Sequence, residues 1–217
     1  MSDTPPSLDV LYLDQRLVVV NKPAGLPCHP GRAGGASVEA GFAAWRRGRD
    51  GPWLAHRLDQ DTAGCLVIAR RKSVLLALQR AFAAGDVEKT YWAIVRGRPA
   101  AATGVVDVPL AKVLVGRRWH MAAGRDGQAA VTDYAILAEA RGLSLLALRP
   151  RTGRTHQVRA HCAWLGCPVL GDAVYGAAGP GLCLLARGLN LALEPPVRVT
   201  APLPAHMRGL GFDAVAA

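Results

Sequence analysis

His56-Arg57-Leu58-Asp59-Gln60-Asp61-Thr62-Ala63-Gly64 runs directly into Cys65-Leu66-Val67-Ile68-Ala69. The second stretch is a continuous apolar run of strand length. The first interrupts the chain with a Thr-Ala-Gly turn and sets one carboxylate, Asp59, beside a cation, Arg57. Residues 53–58 on the near side also read as a strand, so Asp59 falls on a loop between two strands. An acid held near an arginine, in a chain that is basic overall, is placed for chemistry on an anionic substrate. Taken alone, the segment reads equally well as an Arg–Asp pair that pins a loop.

Working outward, residues 8–14 and 16–21 are short aliphatic runs around a turn and predict a hairpin. Lys22-Pro23-Ala24-Gly25-Leu26-Pro27 breaks regular structure, and a glycine-rich loop continues to Gly35. Ser37 predicts a capped helix over residues 38–47, with Glu39 in its first turn and Gly48 and Gly51-Pro52 at its end. A second helix is expected over residues 74–84, with Ser73 as N-cap, Leu75, Leu78, Gln79 and Phe82 at helical spacing, and Gly85 just past the C-terminus. Strands are expected at residues 89–95, 105–110, 118–122, 130–137 and 143–148. A third helix, at residues 156–165, would be started by Thr155 and stopped by Gly166. Final strands are expected at residues 182–192 and 197–201. Many strands with few, scattered helices and no strict β-α-β alternation indicate an α+β domain with a mixed or antiparallel sheet. Without repeat, linker or clear boundary, residues 1–217 read as one domain with a core over about 8–204.

The chain has 217 residues, about half of them apolar, and a formal charge of +10. Such an excess suits a polyanionic partner, and the arginine fork matches phosphate oxygens. No apolar stretch approaches the roughly 20 residues of a membrane span, and the polar, proline-bearing N-terminus does not read as a signal peptide. A cytoplasmic protein, monomeric by default and without a membrane partner, is the expectation. Five cysteines lack a CxxC pair. Cys162 and Cys167 beside His161 are a conceivable zinc pair, but small buried thiols in a reducing compartment are the ordinary reading, and no metal site is expected.

A second dense polar segment, Arg151-Thr152-Gly153-Arg154-Thr155-His156-Gln157-Val158-Arg159, ends a strand and opens a helix. Its first amides would face an anion, with Arg154 adding charge. Val158, Cys162 and Leu165 share the apolar face, so Arg159, on its edge, needs a carboxylate partner. Asp59 is the natural candidate, and the pairing would favour the ionised acid that a nucleophile requires. An anion-binding helix start without chemistry is the plainer alternative. In Lys89-Thr90-Tyr91-Trp92-Ala93-Ile94-Val95, alternation puts Tyr91 on one face with Lys89 and Ala93. Such a Tyr can stack on a nucleobase or sit in the core with its hydroxyl satisfied.

Taken together these segments resemble the RluA-type pseudouridine synthases. The matching pieces are Val19-Val20-Asn21-Lys22-Pro23-Ala24-Gly25-Leu26, His56-Arg57-Leu58-Asp59 with Thr62 and Gly64, Lys89-Thr90-Tyr91, residues 152–159, and Leu170-Gly171-Asp172 with Tyr175-Gly176. They cover nearly the whole chain in family order. The resemblance implies a compact enzyme without an S4 domain that isomerises selected uridines to pseudouridine in structured rRNA or tRNA stem-loops, with neither metal nor organic cofactor. It implies Asp59 as the catalytic aspartate, Tyr91 as the tyrosine that stacks on the target base, and Arg159 as the arginine that pairs with the aspartate. Arg57 would assist nucleotide flipping. His56, Lys89, Arg154, His156, Gln157 and Lys22 are expected on the RNA-binding side. The chain departs from the family in Ala63, where Ser is usual, and in Leu184-Leu185-Ala186-Arg187, where a Leu-His-Ala run is common.

Two other classes compete with this reading. A non-catalytic RNA-binding or folding factor would not need Asp59, Tyr91 and Arg159 intact. A glycosidase normally needs two carboxylates, for which Asp61 is a possible second, but a +10 charge gives it no advantage.

Overall fold

The computed structural model describes residues 7–31, 34–47, 50–116 and 118–216. Outside them lie residues 1–6, Arg32 and Ala33 of the glycine-rich loop, Gly48 of the expected helix stop, Arg49, Arg117 and Ala217. In chain order the strands are β1 (Asp9–Leu13), β2 (Leu17–Lys22), β3 (Trp53–Leu54), β4 (Ala63–Ala69), β5 (Glu88–Arg96), β6 (Thr103–Asp107), β7 (Leu110–Val115), β8 (Arg118–Ala123), β9 (Val131–Ala140), β10 (Leu143–Pro150), β11 (Leu184–Leu191) and β12 (Val197–Thr200). The helices are α1 (Lys72–Ala84), α2 (Gln157–Trp164) and α3 (Asp213–Ala216), with 3₁₀ turns at Glu39–Trp45 and Ala205–Met207. This is the expected α+β fold, mostly antiparallel, and it forms two compact units: Met1–Val87 with Ala186–Pro202, and Glu88–Leu185 with Leu203–Ala217.

In the first unit the hairpin β1–β2 leads to β4, β3 pairs the far end of β4, and β12 pairs β11. Leu17 to Val20 and Cys65 to Ala69 are fully buried, which is why both runs are continuously apolar rather than alternating. Leu75 and Leu78 of α1 are the residues its helical spacing sends inward. Gly85 ends α1 in the left-handed conformation (φ 83°), its N–H donating to Ala81, as expected. Ser73 lies inside the first turn rather than capping it, because the helix begins at Lys72. The expected helix at 38–47 is instead a 3₁₀ turn. Its first N–H groups are tied back to Pro27 O and Cys28 O, and Ser37 Oγ accepts the Ala40 N–H at 3.3 Å.

The expected strand at 53–58 stops at Leu54. Ala55 N still donates to Val67 O, but the next acceptor, for Val67 N–H, is His56 Nε2 at 3.0 Å. A side chain thus takes the place of a backbone carbonyl, and the main chain is released into the Asp59 loop.

In the second unit the strand order is β5-β10-β9-β6, with β7 and β8 a separate hairpin. Ala93 to Val95, Leu145, Leu146 and Leu148 form the buried centre. The expected strand at 105–110 divides into β6 and β7 around Pro109, which cannot donate to a ladder. Ala160 of α2 packs with Leu110 and Ala130 at the base of the hairpin, with Met121 and Tyr175 against them. No helix among the described residues is long and apolar enough to cross a membrane.

Candidate active site

Asp59 sits half-buried in the first unit on a tight turn closed by Thr62 N–H donating to Asp59 O at 3.1 Å. Every side of this turn is fastened. Leu58 is buried, and its carbonyl accepts from the Cys28 thiol at 3.4 Å. The Gln60 carbonyl accepts the Gly25 N–H at 3.0 Å, and the Gln60 side-chain amide returns a bond to Gly25 O at 3.1 Å. Thr62 is buried, and Gly64 (φ 111°) lets β4 start where a Cβ would strike the backbone of Ala186. His56 is held by Val67 N–H on one side and lies against the Phe82 ring, centroids 4.6 Å apart. Arg57 is exposed.

Lys22 is not on an RNA-facing surface. It is fully buried, and its ammonium donates to Pro23 O (2.9 Å), Leu26 O (2.8 Å) and Gln60 O (2.7 Å). Burial lowers its pKa to about 8, against the opposing pull of Cys28, Asp61 and Asp59. The three acceptors leave no N–H for a phosphate, which corrects the expectation from its basic side chain.

The second unit holds Tyr91, Lys89 and the polar segment that opens α2. Tyr91 and Lys89 are half-buried on β5 while Trp92 and Ile94 are buried, the predicted alternation. Lys89 Nζ lies 3.4 Å from Thr152 O, and burial lowers its pKa. Gln157 is also buried rather than RNA-facing. Its amide nitrogen donates to Val131 O and Thr132 Oγ1, and its oxygen accepts from Thr152 Oγ1 and Arg154 N–H. The residue therefore welds the β10–α2 turn to β9, and the mouth expected at the helix start is occupied by this side chain. Arg154 is exposed, with Nε on Ala129 O at 3.0 Å. His156, expected inside the helix, precedes it with left-handed backbone (φ 52°).

Arg159 is buried, as an arginine on the edge of the apolar face should be. Asp172 supplies the carboxylate that the sequence reading looked for at Asp59: Nε and Nη2 each donate to it at 2.8 Å. Asp172 also accepts from the N–H groups of Val174 and Tyr175. Burial alone would push its carboxyl up, but Arg159 and these amides reverse that and hold it below the usual range. The Tyr175 ring lies 5.4 Å from the Arg159 guanidinium, and its hydroxyl accepts the Met121 N–H at 2.9 Å and meets His156 Nδ1 at 3.2 Å. Leu170, two residues before Asp172, donates to Ile94 O, so the Asp172 turn is anchored on the strand that carries Tyr91. Asp172 and Tyr175 have roles here that no helical or strand periodicity announces. Only the demand of a buried arginine for an anion pointed toward such an acid.

The conceivable zinc pair is ordinary core. All five cysteines are buried and free, and both ring nitrogens of His161 are engaged, by Thr132 Oγ1 (2.8 Å) and Val108 O (3.1 Å). Among the described residues no His/Cys/Asp/Glu group could hold a metal.

Residues 16–164 match the family model for RNA pseudouridylate synthase. This chain belongs to the RNA pseudouridine synthase family. It is 40% identical over 94% of its length, and 97% of the relative's, to a protein of Zymomonas mobilis subsp. mobilis named as an uncharacterized RNA pseudouridine synthase. It is also 40% identical, over 78% of its length and 56% of the relative's, to that organism's ribosomal large subunit pseudouridine synthase D. The solved human RNA pseudouridylate synthase domain containing 4 superposes with a TM-score of 0.78 at 28% identity, covering 92% of this chain and 90% of the human one. An RNA pseudouridine synthase is an isomerase acting on RNA, and the RluA-type resemblance and the α+β fold agree with that membership.

Proposed function

We propose that this pseudouridine synthase acts on uridines in structured rRNA or tRNA stem-loops, with Asp59 as nucleophile and Tyr91 and Arg159 acting beside it. The observation that carries the role of Asp59 is its position: a half-buried acid on a turn whose flanking carbonyls are all fastened. A catalyst for a cofactor-free rearrangement needs a preset group more than a strong one. The identity to a ribosomal large subunit enzyme, 40% over 78% of this chain, favours rRNA as the first substrate to test.

The reaction breaks the N1–C1′ bond, turns the uracil, joins C5 to C1′ and releases the C5 proton while N1 gains one. No electron or co-reactant is consumed. It requires the nucleotide to leave the helix stack, at a cost of a few kcal/mol. Phosphate contacts from the basic surface offset that cost. The exposed tip of the β7–β8 hairpin, with Trp119 and Lys112, is a second place for RNA to touch. Tyr91 would stack on the flipped uracil, and Arg159, fixed by Asp172, would meet the Asp59 carboxylate. Reduced, buried cysteines suit a cytoplasmic, monomeric enzyme.

Tritium release from uracil-5-tritiated rRNA and tRNA transcripts measures the reaction directly. Asp59→Asn is expected to abolish release and leave RNA affinity within about twofold, because a neutral amide keeps the shape but cannot attack. Turnover by that variant would overturn the assignment of Asp59.

A further inference from the structure

The acid loop is fastened by a group that ordinarily lives in water. Lysine is almost never fully buried unless paired, yet Lys22 is 0% exposed. Its three ammonium protons meet three carbonyls drawn from two separate segments. Pro23 O and Leu26 O belong to the turn after β2, and Gln60 O belongs to the loop that carries Asp59. The two segments also bond to each other through Gly25 and Gln60, so the ammonium is the centre of a closed knot. Only a group with three protons on one atom can satisfy three converging acceptors, and a hydrocarbon would leave all three orphaned. The register supports the geometry: Lys22 is the last residue of β2 and stands opposite Gly64, the second residue of β4. The side chain therefore leaves the sheet where the acid loop re-enters it.

We propose that Lys22 is a positioning residue for Asp59: its buried ammonium ties the Gln60 carbonyl, one peptide beyond Asp59, to the Pro23–Leu26 turn and so fixes where the carboxylate stands. The proposal rests on Asp59 being the nucleophile. Lys22 touches neither RNA nor the reacting atoms. Its contribution is to the rate of the bound complex and not to binding.

Lys22→Met keeps the chain length and removes every donor. With tritiated large-subunit rRNA transcript as probe, single-turnover release by Lys22→Met should fall by about 100-fold, the cost of roughly an ångström of misplacement. RNA affinity should stay within about twofold, since no phosphate contact is lost. Amide exchange should accelerate at Gly25 and Thr62, whose N–H groups bond the carbonyls of Gln60 and Asp59. Lys22→Arg, which restores a buried cation with several donors, should recover part of the rate. If Lys22→Met does not fold, Lys22→Gln, which keeps two N–H donors, carries the same expectations. A wild-type rate in the methionine or glutamine variant overturns the proposal. So does a loss of RNA affinity that accounts for the whole loss of rate. Asp59→Asn, measured in parallel, separates the two ideas: if it is inert while Lys22→Met runs at full rate, only the positioning role fails. If Asp59→Asn turns over, the nucleophile assignment fails and the positioning role with it.

Discussion

Arg159 and Asp172 meet in a two-point ion pair, Nε to Oδ2 and Nη2 to Oδ1, both at 2.8 Å, with the arginine side chain 7% exposed and the aspartate 0%. The pair locks the guanidinium plane, because α2 fixes one partner and the Asp172 turn, bonded to β5, fixes the other. Asp172→Asn would leave a buried cation without its anion and is expected to destabilise the fold by about 3–5 kcal/mol. Thermal or urea unfolding measures this. The pH dependence has a definite sign. The folded-state carboxyl lies below its unfolded value, so the stability it contributes is complete above the unfolded pKa, near 4. It is lost as pH falls through the lower folded value. The wild-type protein should therefore approach Asp172→Asn in stability on acidification, and a constant difference down to pH 2 would contradict the pair's role.

Gly64 tests the other wall of the acid loop. Its φ of 111° is a region L side chains rarely adopt, and an added Cβ would run into the Ala186 carbonyl. Gly64→Ala should cost about 3 kcal/mol from overpacking and backbone strain together. At this chain length that corresponds to a melting temperature lower by roughly 10 °C. A variant that melts with wild type would mean that β4 and β11 separate without cost.

Most elements are legible in the sequence because their causes are local. The apolar runs of β2 and β4 need only two-sided burial, and α1 needs only Leu75 and Leu78 at helical spacing and Gly85 at its end. The site is legible as a set of residue types, since a loop acid, a strand tyrosine and a buried arginine each leave a local mark. What the sequence does not show is which polar groups are spoken for. Lys22, Gln157 and His56 look alike as polar, RNA-facing candidates. Three-dimensional contacts consume the donors of Lys22 and Gln157 and the Nε2 of His56, and those contacts join residues up to 38 positions apart. Asp172 as the partner of Arg159 was hidden for the same reason: an acid thirteen residues past a helical arginine has no periodic relation to it.

The β7–β8 hairpin makes a prediction about binding alone. Trp119 is 57% exposed, opposite Leu114 in the ladder, with Lys112 Nζ 4.7 Å from its ring centroid. An exposed aromatic with a neighbouring cation is a stacking platform for an unpaired base, worth about 1–3 kcal/mol per base. Trp119→Ala should weaken affinity for the rRNA transcript by about tenfold, the loss of 1.4 kcal/mol. Its melting temperature should barely change, since so little of the ring is buried. Equal affinity in a filter-binding titration would remove the hairpin tip from the RNA interface.

Lys22 predicts opposite pH trends for stability and rate. Its ammonium loses a proton near pH 8 in the folded protein and near 10.5 in the unfolded chain. Between those values the unfolded state holds more protons, so raising the pH favours folding. Below about 8 both states are charged, and the full cost of burying the charge is present. Relative to Lys22→Met, the wild-type protein should therefore gain stability from pH 8 to 10.5, by at most about 3 kcal/mol. The charged groups acting on this ammonium are Asp59 and Asp61, and the nearby Cys28 thiol is itself pushed up by burial. All three are shared by wild type and variant, so the difference isolates Lys22. Over the same window the neutral amine has only two protons for three carbonyls, and the knot that holds the Gln60 carbonyl loosens. Single-turnover tritium release should accordingly decline above about pH 8 in wild type, while Lys22→Met, already slow, lacks that limb. Stability and rate rising together would mean that the buried ammonium strains the loop rather than setting it.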